Sequence, residues 1–240
     1  MKSAIIIPYR HRKTAMIRCI ESIRAAAGDD VAVVIVGDSF DSWDLSDRRH
    51  KFLWHNIVND SEPFNKAKSF NLGIDLSEGD VLTFLDCDML VGPRFLEGAQ
   101  RLIDDPGLTI LCYRVRNAPS AAVDWSRYDS YFKAFEAYGD PEHGAADPSL
   151  RPIFGNSQFS IRREVLGDLR YDEGYVGRGF EDLDMMRQIW CHYGTDYRAE
   201  IMTDADHALI HVAHEYEPDW NDRRLKHANL LRYKATWHEC

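Results

Sequence analysis

Val81-Leu82-Thr83-Phe84-Leu85-Asp86-Cys87-Asp88 is a continuous apolar run that ends in two aspartates one residue apart. Five residues rich in branched and aromatic side chains, with no polar alternation, read as a strand buried on both faces. Such strands belong to parallel sheets covered by helices. The pattern recurs upstream in Ala4-Ile5-Ile6-Ile7, stopped by Pro8, and in Val31–Val36, ended by Gly37-Asp38. Between them Met16, Ile20, Ile23 and Ala27 recur at helical spacing from Thr14 to Ala27, and Gly28 closes the segment. Phe52–Val58 reads as a short strand. Asn65–Leu76 reads as a helix with Ala67, Phe70 and Ile74 turned inward. A further helix is expected from near Pro93, a residue suited to a first turn, and a strand over Thr109–Arg114. This alternation predicts an α/β fold with a mostly parallel central sheet and helices on both faces. Ligands of such folds bind beyond the carboxyl ends of the strands. Pro8–Arg12, Asp38 and Asp86–Asp88 all fall at such ends.

The second half is less regular. Asn117–Arg151 mixes Pro, Gly and Ala with Trp125, Tyr128, Tyr131, Phe132, Phe135 and Tyr138. These aromatics fit either a helix packed on the core or a rim that stacks on sugar rings. Beyond Ile153 a strand is expected at Gln158–Ile161, a glycine-rich loop at Gly174–Gly179 and a helix from Glu181 to His192. A late strand follows at His207–Val212 and a terminal helix at Trp220–Lys234. No internal repeat or low-complexity stretch is present, so residues 1–240 are expected to form one domain.

Composition narrows the partners. Twenty-nine Lys and Arg against 39 Asp and Glu give a net charge of −10, with 45% hydrophobic and 28% charged residues. That balance opposes nucleic acid and anionic lipid as charge-driven partners. The five cysteines contain no CxxC and read as reduced thiols. The longest apolar runs fall far short of the roughly 20 residues a spanning helix needs. Met1-Lys2-Ser3 leads straight into a strand, so no signal peptide is expected and the protein is expected to be cytoplasmic.

Asp-x-Asp occurs at Asp86/Asp88, Asp182/Asp184 and Asp204/Asp206, about what chance allows in so acidic a chain. Only the first pair follows a buried strand. Two hard oxygen donors there could hold Mg²⁺ or Mn²⁺ against a diphosphate, or one aspartate could simply cap a turn. Gly174-Tyr175-Val176-Gly177-Arg178-Gly179-Phe180-Glu181-Asp182 places two acids at a helix start behind a flexible loop. Helix capping explains that placement as readily as catalysis does. His211 and His214 are three apart and could add nitrogen donors, a mixed shell that favours Mn²⁺. Arg10, Arg12, Lys13, Lys66 and Lys68 gather positive charge beside the strand ends, as a phosphate-bearing ligand or a solvated surface would.

Together these blocks resemble the β-1,4-galactosyltransferase family. The likeness runs through Ile5-Ile6-Ile7-Pro8-Tyr9-Arg10-His11-Arg12, Phe64-Asn65-Lys66-Ala67-Lys68, Asp86-Cys87-Asp88 and Phe154-Gly155-Asn156. It continues through Gly177–Asp184 and His211-Val212-Ala213-His214, in family order. More broadly the chain is similar to GT-A glycosyltransferases, including chondroitin-polymerase modules and polypeptide N-acetylgalactosaminyltransferases. The resemblance implies a GT-A fold with a nucleotide-sugar-binding half over residues 1–116 and an acceptor-binding and catalytic half over 117–240. It implies metal-dependent, inverting transfer from a UDP-sugar to a glycan, glycolipid or protein hydroxyl.

Pro8, Tyr9, Arg10, Arg12, Phe64, Lys66, Asp86, Cys87 and Asp88 then line the donor, and Asp38 contacts the uracil or ribose. Asp88, His214, His211 and Asp86 are implied around Mn²⁺ or Mg²⁺. Asp182 is implied as the base, and Glu181 as the residue that orients the acceptor or holds the loop. Ile153, where galactosyl-transferring members carry tyrosine, implies a 2-acetamido donor such as UDP-N-acetylgalactosamine. Arg178 and Phe180 replace a family tryptophan and glycine. Two rival readings share these features, a nucleotidyltransferase of the same fold and a non-catalytic nucleotide-sugar-binding module. The first wants a basic, Gly-rich loop after the first strand, where Pro8-Tyr9-Arg10-His11-Arg12 stands, and the second has no need of a base.

Overall fold

A computed structural model describes residues 2–26, 31–37, 51–56, 63–118, 158–177, 179–202, 206–212 and 222–237. In chain order the strands are β1 (Ser3–Tyr9), β2 (Val31–Gly37), β3 (Lys51–Asn56), β4 (Val81–Phe84) and β5 (Met89–Val91). They continue with β6 (Ile110–Tyr113), β7 (Val115–Ala118), β8 (Phe159–Arg162), β9 (Ala199–Met202) and β10 (Leu209–Val212). The α-helices are α1 (Lys13–Ala26), α2 (Lys66–Leu76), α3 (Glu97–Asp104), α4 (Arg163–Leu166), α5 (Glu181–Tyr193) and α6 (Arg223–Thr236).

Seven strands form the main sheet in the order β3-β2-β1-β4-β8-β6-β9. Every pairing is parallel except those of β8, which runs antiparallel between β4 and β6. β1 is buried along its whole length, and its side chains alternate between two cores, as a strand's two-residue period requires. Ile5, Ile7 and Tyr9 pack with Met16, Ile20 and Ile23 of α1. Ala4 and Ile6 face Phe70 and Ile74 of α2 and Met185, Met186 and Ile189 of α5. Gly73 lets α2 press onto the sheet, because a Cβ there would lie 2.2 Å from Ile6 Cγ2.

One expectation needed adjustment, and the strands β5, β7 and β9 were not anticipated from sequence. The helix expected from Pro93 begins at Glu97. The preceding amides are used elsewhere, Gly92 N donating to Ala208 O and Arg94 N to Asp206 O. The three-residue β5, too short to stand out in sequence, pairs antiparallel with β10, and β10 runs parallel to β7 in a second, three-stranded sheet. That small sheet carries His211 to the residue pair that follows β4.

Candidate functional site

The turn after β4, the first turn of α2 and the first turn of α5 converge on one lysine. Asn65 caps α2 by accepting from Lys68 N, which fixes Lys66 at the helix start. Lys66 Nζ lies 2.8 Å from Asp86 Oδ1, 3.3 Å from Asp182 Oδ2 and 3.7 Å from Glu181 Oε1. With the residue only 4% exposed, the ammonium would be costly without these partners. Burial pushes its pKa down, but Asp182, Asp86 and Glu181 together outweigh that and hold it above the ordinary amine range.

Asp182 is moved the other way. Burial first, then the neighbouring charges of Glu181 and Asp86, raise its carboxyl to about 8 against the opposing pull of Lys66. Its Oδ1 and Glu181 Oε2 are buried without a hydrogen-bond partner among the described residues, leaving acceptor capacity for an incoming hydroxyl. Asp86 is oriented by Gln158, which accepts from Asp86 N at 2.9 Å and donates to Asp86 Oδ2 at 2.7 Å.

Asp88 engages different groups. Its Oδ2 lies 2.6 Å from Arg12 Nη1 and 3.6 Å from His211 Nε2. The bond to Asp88 raises the His211 pKa against the effect of burial. Asp88 and His211 bring a carboxylate oxygen and an imidazole nitrogen to one place, a donor pair that suits Mn²⁺. In donor type the pair fits a divalent cation, and Arg12 holds Asp88 Oδ2 in this structure. Among the described residues no group of three or more His, Cys, Asp or Glu is arranged around a common metal position. The third implied ligand, His214, lies outside the described residues.

The glycine-rich loop is held from both sides. Gly177 N donates to Phe64 O at 2.9 Å, and Asn229 Nδ2 of α6 donates to Val176 O and Gly179 O at 3.0 and 3.1 Å. Gly177, Gly179 and Phe180 have φ of 75°, 98° and 78°. Phe180 therefore holds a left-handed backbone that a glycine would adopt freely, at a cost of about 1–3 kcal/mol. Asp184, one turn into α5, accepts from Trp237 Nε1 at 2.7 Å and from Tyr175 OH at 3.2 Å.

Of the residues named from sequence, Lys66, Asp86, Glu181 and Asp182 form one cluster, and Arg12, Asp88 and His211 a second. Phe64 joins the loop through its backbone. Pro8, Tyr9 and Cys87 are buried, and Tyr9 and Cys87 belong to the core that also holds Met16 and Ile20 of α1. Arg10 is half-buried beside them. Lys66 was expected in a gathering of positive charge suited to a phosphate-bearing ligand or to a solvated surface; the structure buries it among three carboxylates. Asp38, Ile153 and the aromatic stretch from 119 to 151 lie outside the described residues. Gln158, Asp184, Asn229 and Trp237 were missed. Gln158 stands next to a strand already recognised, but nothing local marks it as the partner of an aspartate 72 positions away.

Comparison with known proteins gives the same fold. S. aureus TarS 1-349 in complex with UDP-GlcNAc superposes with a TM-score of 0.67 at 14% identity, covering 96% of this chain and 66% of that one. Mannosyltransferase PcManGT from Pyrobaculum calidifontis, in complex with GDP-Man and Mn²⁺, gives 0.64 at 16% identity, covering 98% and 63%. Polypeptide N-acetylgalactosaminyltransferase 4 of Mus musculus is 21% identical over 89% of this chain, which spans 39% of that protein's length. The amylovoran biosynthesis glycosyltransferase AmsB of Erwinia amylovora is 26% identical over 75% of this chain and 62% of its own. Among the described residues no helix is long and apolar enough to cross a membrane. The model of the family described as glycosyl transferase family 2 matches residues 4–170, the segment that supplies β1, α2, Asp86 and Asp88. The chain belongs to glycosyl transferase family 2.

Proposed function

We propose that this chain transfers a sugar from a UDP-sugar to a hydroxyl group, with inversion at the anomeric carbon and dependence on a divalent cation. The observation that carries the reading is Lys66. One buried ammonium joins Asp86, at the donor-binding strand ends, to Asp182 and Glu181, at the start of α5. A nucleotide-binding module without chemistry has no use for two buried acids beside its phosphate site.

Asp88, His211 and, by resemblance, His214 would hold Mn²⁺ or Mg²⁺, with Asp86 behind them; the cation supplies positive charge to the departing diphosphate. Arg12 and Lys66, both bound to carboxylates, are placed to shift onto phosphate oxygens. Asp182 takes the acceptor's O–H proton as that oxygen forms its bond to the anomeric carbon. The bond from that carbon to the diphosphate oxygen breaks on the opposite face, and UDP leaves with its electron pair. A carboxyl tuned to about 8 sits near working pH, where a general base is most effective. Glu181 orients the acceptor.

The donor is proposed to carry a 2-acetamido group. By the resemblance, Ile153 would leave room where a tyrosine hydroxyl would crowd that substituent. The choice is supported by a relative named as a polypeptide N-acetylgalactosaminyltransferase and a fold neighbour solved in complex with UDP-GlcNAc. A glycan, glycolipid or protein remains the proposed acceptor class. The test is a screen of UDP-sugars for Mn²⁺-dependent release of UDP. Release that stops with a chelator supports the reading. Production of a nucleoside triphosphate from pyrophosphate, or no turnover of any donor, overturns it.

A further inference from the structure

Helix α6 lies beyond the segment matched by the family model, and its composition is unusual for a packed helix. Residues 223–236 hold five Lys or Arg and no acid, and the one buried side chain is the amide of Asn229. Leu225, Leu230, Tyr233 and Trp237 are only half-buried around it, so apolar packing alone does not hold the helix. Its attachments are specific polar and ring contacts, and those within the described residues converge on the segment from 172 to 187.

Arg232 Nε and Nη2 donate to Asp172 at 2.6 and 2.7 Å. Asn229 donates to both Val176 O and Gly179 O. The Tyr233 ring packs on Phe180 at 5.6 Å, and Trp237 Nε1 reaches Asp184. Arg187 of α5 donates to Tyr233 OH at 3.3 Å and lies over the Trp237 ring. The segment so gripped contains the three left-handed residues Gly177, Gly179 and Phe180, and the last immediately precedes Glu181. An amide donor on Gly179 O fixes the plane of the Gly179–Phe180 peptide. That plane sets the direction in which α5 departs and so the aim of Asp182.

We infer that α6 is a positioning element of the catalytic site and that Asn229, through the carbonyls of Val176 and Gly179, is its positioning residue for Asp182. Only a side-chain amide fits the task, since it offers two N–H donors to two carbonyls; a carboxylate of the same shape offers none. The kinetic consequence rests on the glycosyltransferase reading, whereas the conformational one does not.

The experiment compares wild type with Asn229→Ala and Asn229→Asp by hydrogen–deuterium exchange of the 174–184 segment, UDP release from the best UDP-sugar, and Mn²⁺-dependent UDP affinity. Expected are faster exchange confined to 174–184 and a fall in kcat of about 10- to 100-fold, as misaimed catalytic groups produce. UDP affinity should stay within about twofold, because β1, α2 and β4 are untouched. Trp237→Phe, which deletes one N–H and keeps a ring, should speed exchange in the same segment and serves if the Asn229 variants do not fold. Unchanged exchange across 174–184, or parallel loss of kcat and UDP affinity, overturns the inference. Should wild type release no UDP from any donor, the functional reading fails while the exchange comparison still decides the role of Asn229.

Discussion

Replacing Lys66 with methionine probes the site at its centre. The substitution keeps the length of the stem and removes the charge shared by Asp86, Asp182 and Glu181 at 2.8, 3.3 and 3.7 Å. Taking one partner from a buried ionic cluster costs about 3–5 kcal/mol, since the remaining charges are left without compensation. In a domain of this size each kcal/mol moves the melting point by about 2–4 °C, so a fall of roughly 6–20 °C is expected.

The loss depends on pH in a stated direction. Lys66 is charged in both folded and unfolded chains below about pH 10, so over the working range only the carboxylates titrate. Asp182, raised to about 8 from the ordinary 3.8, already binds a proton in the folded chain that the unfolded chain has lost. Its contribution to stability therefore declines as pH rises through that interval. Without the lysine, which lowers the Asp182 pKa, that carboxyl retains its proton to still higher pH. Lys66→Met should be closest to wild type near pH 5 and furthest below it near pH 8. Melting followed by circular dichroism at the two pH values is the assay. A variant within about 2 °C of wild type at pH 8 would refute the buried cluster.

Asp88→Ala and His211→Ala should each abolish the Mn²⁺ stimulation of UDP binding in calorimetry; unchanged metal-stimulated affinity in both would remove them from the cation site. Ile153→Tyr should shift hydrolysis from N-acetylated toward unsubstituted donors, and wild type that hydrolyses UDP-galactose or UDP-glucose at least tenfold faster than either acetamido donor would falsify the donor choice. Turnover should climb with pH toward about 8 as Asp182 gives up its proton; a flat profile from pH 6 to 9 would point to another base.

The sheet was largely legible because its strands are long apolar runs. Val81–Phe84 and Ser3–Tyr9 are buried throughout, and neither amphipathic alternation nor charge confuses their reading. Asp86 stood out because it follows a buried strand, and Lys66, Glu181 and Asp182 because their motifs open helices; the structure brings the four together. What escaped was long-range pairing. The bond from Gln158 to Asp86 and the grip of Asn229 on the glycine-rich loop join residues 72 and about 50 positions apart, and local spacing carries no trace of them. The backbone of Phe180 was equally out of reach of local reading. A bulky side chain argues against a left-handed backbone, yet tertiary contacts with Tyr233 hold it there. Tyr9 is buried because β1 is covered on both faces, and Cys87 because the turn after β4 packs into the same core.

The central claim is that Asp182 acts as a base on a UDP-sugar bound beside Asp86 and Asp88. The most direct measurement is UDP release by wild type and Asp182→Asn in parallel, with Mn²⁺-dependent UDP affinity measured on the same preparations. The structure predicts equal affinity and a loss of turnover of about 10²–10⁴-fold in the variant. An Asp182→Asn protein that turns over like wild type, or a Glu181→Gln protein that alone is crippled, would contradict it.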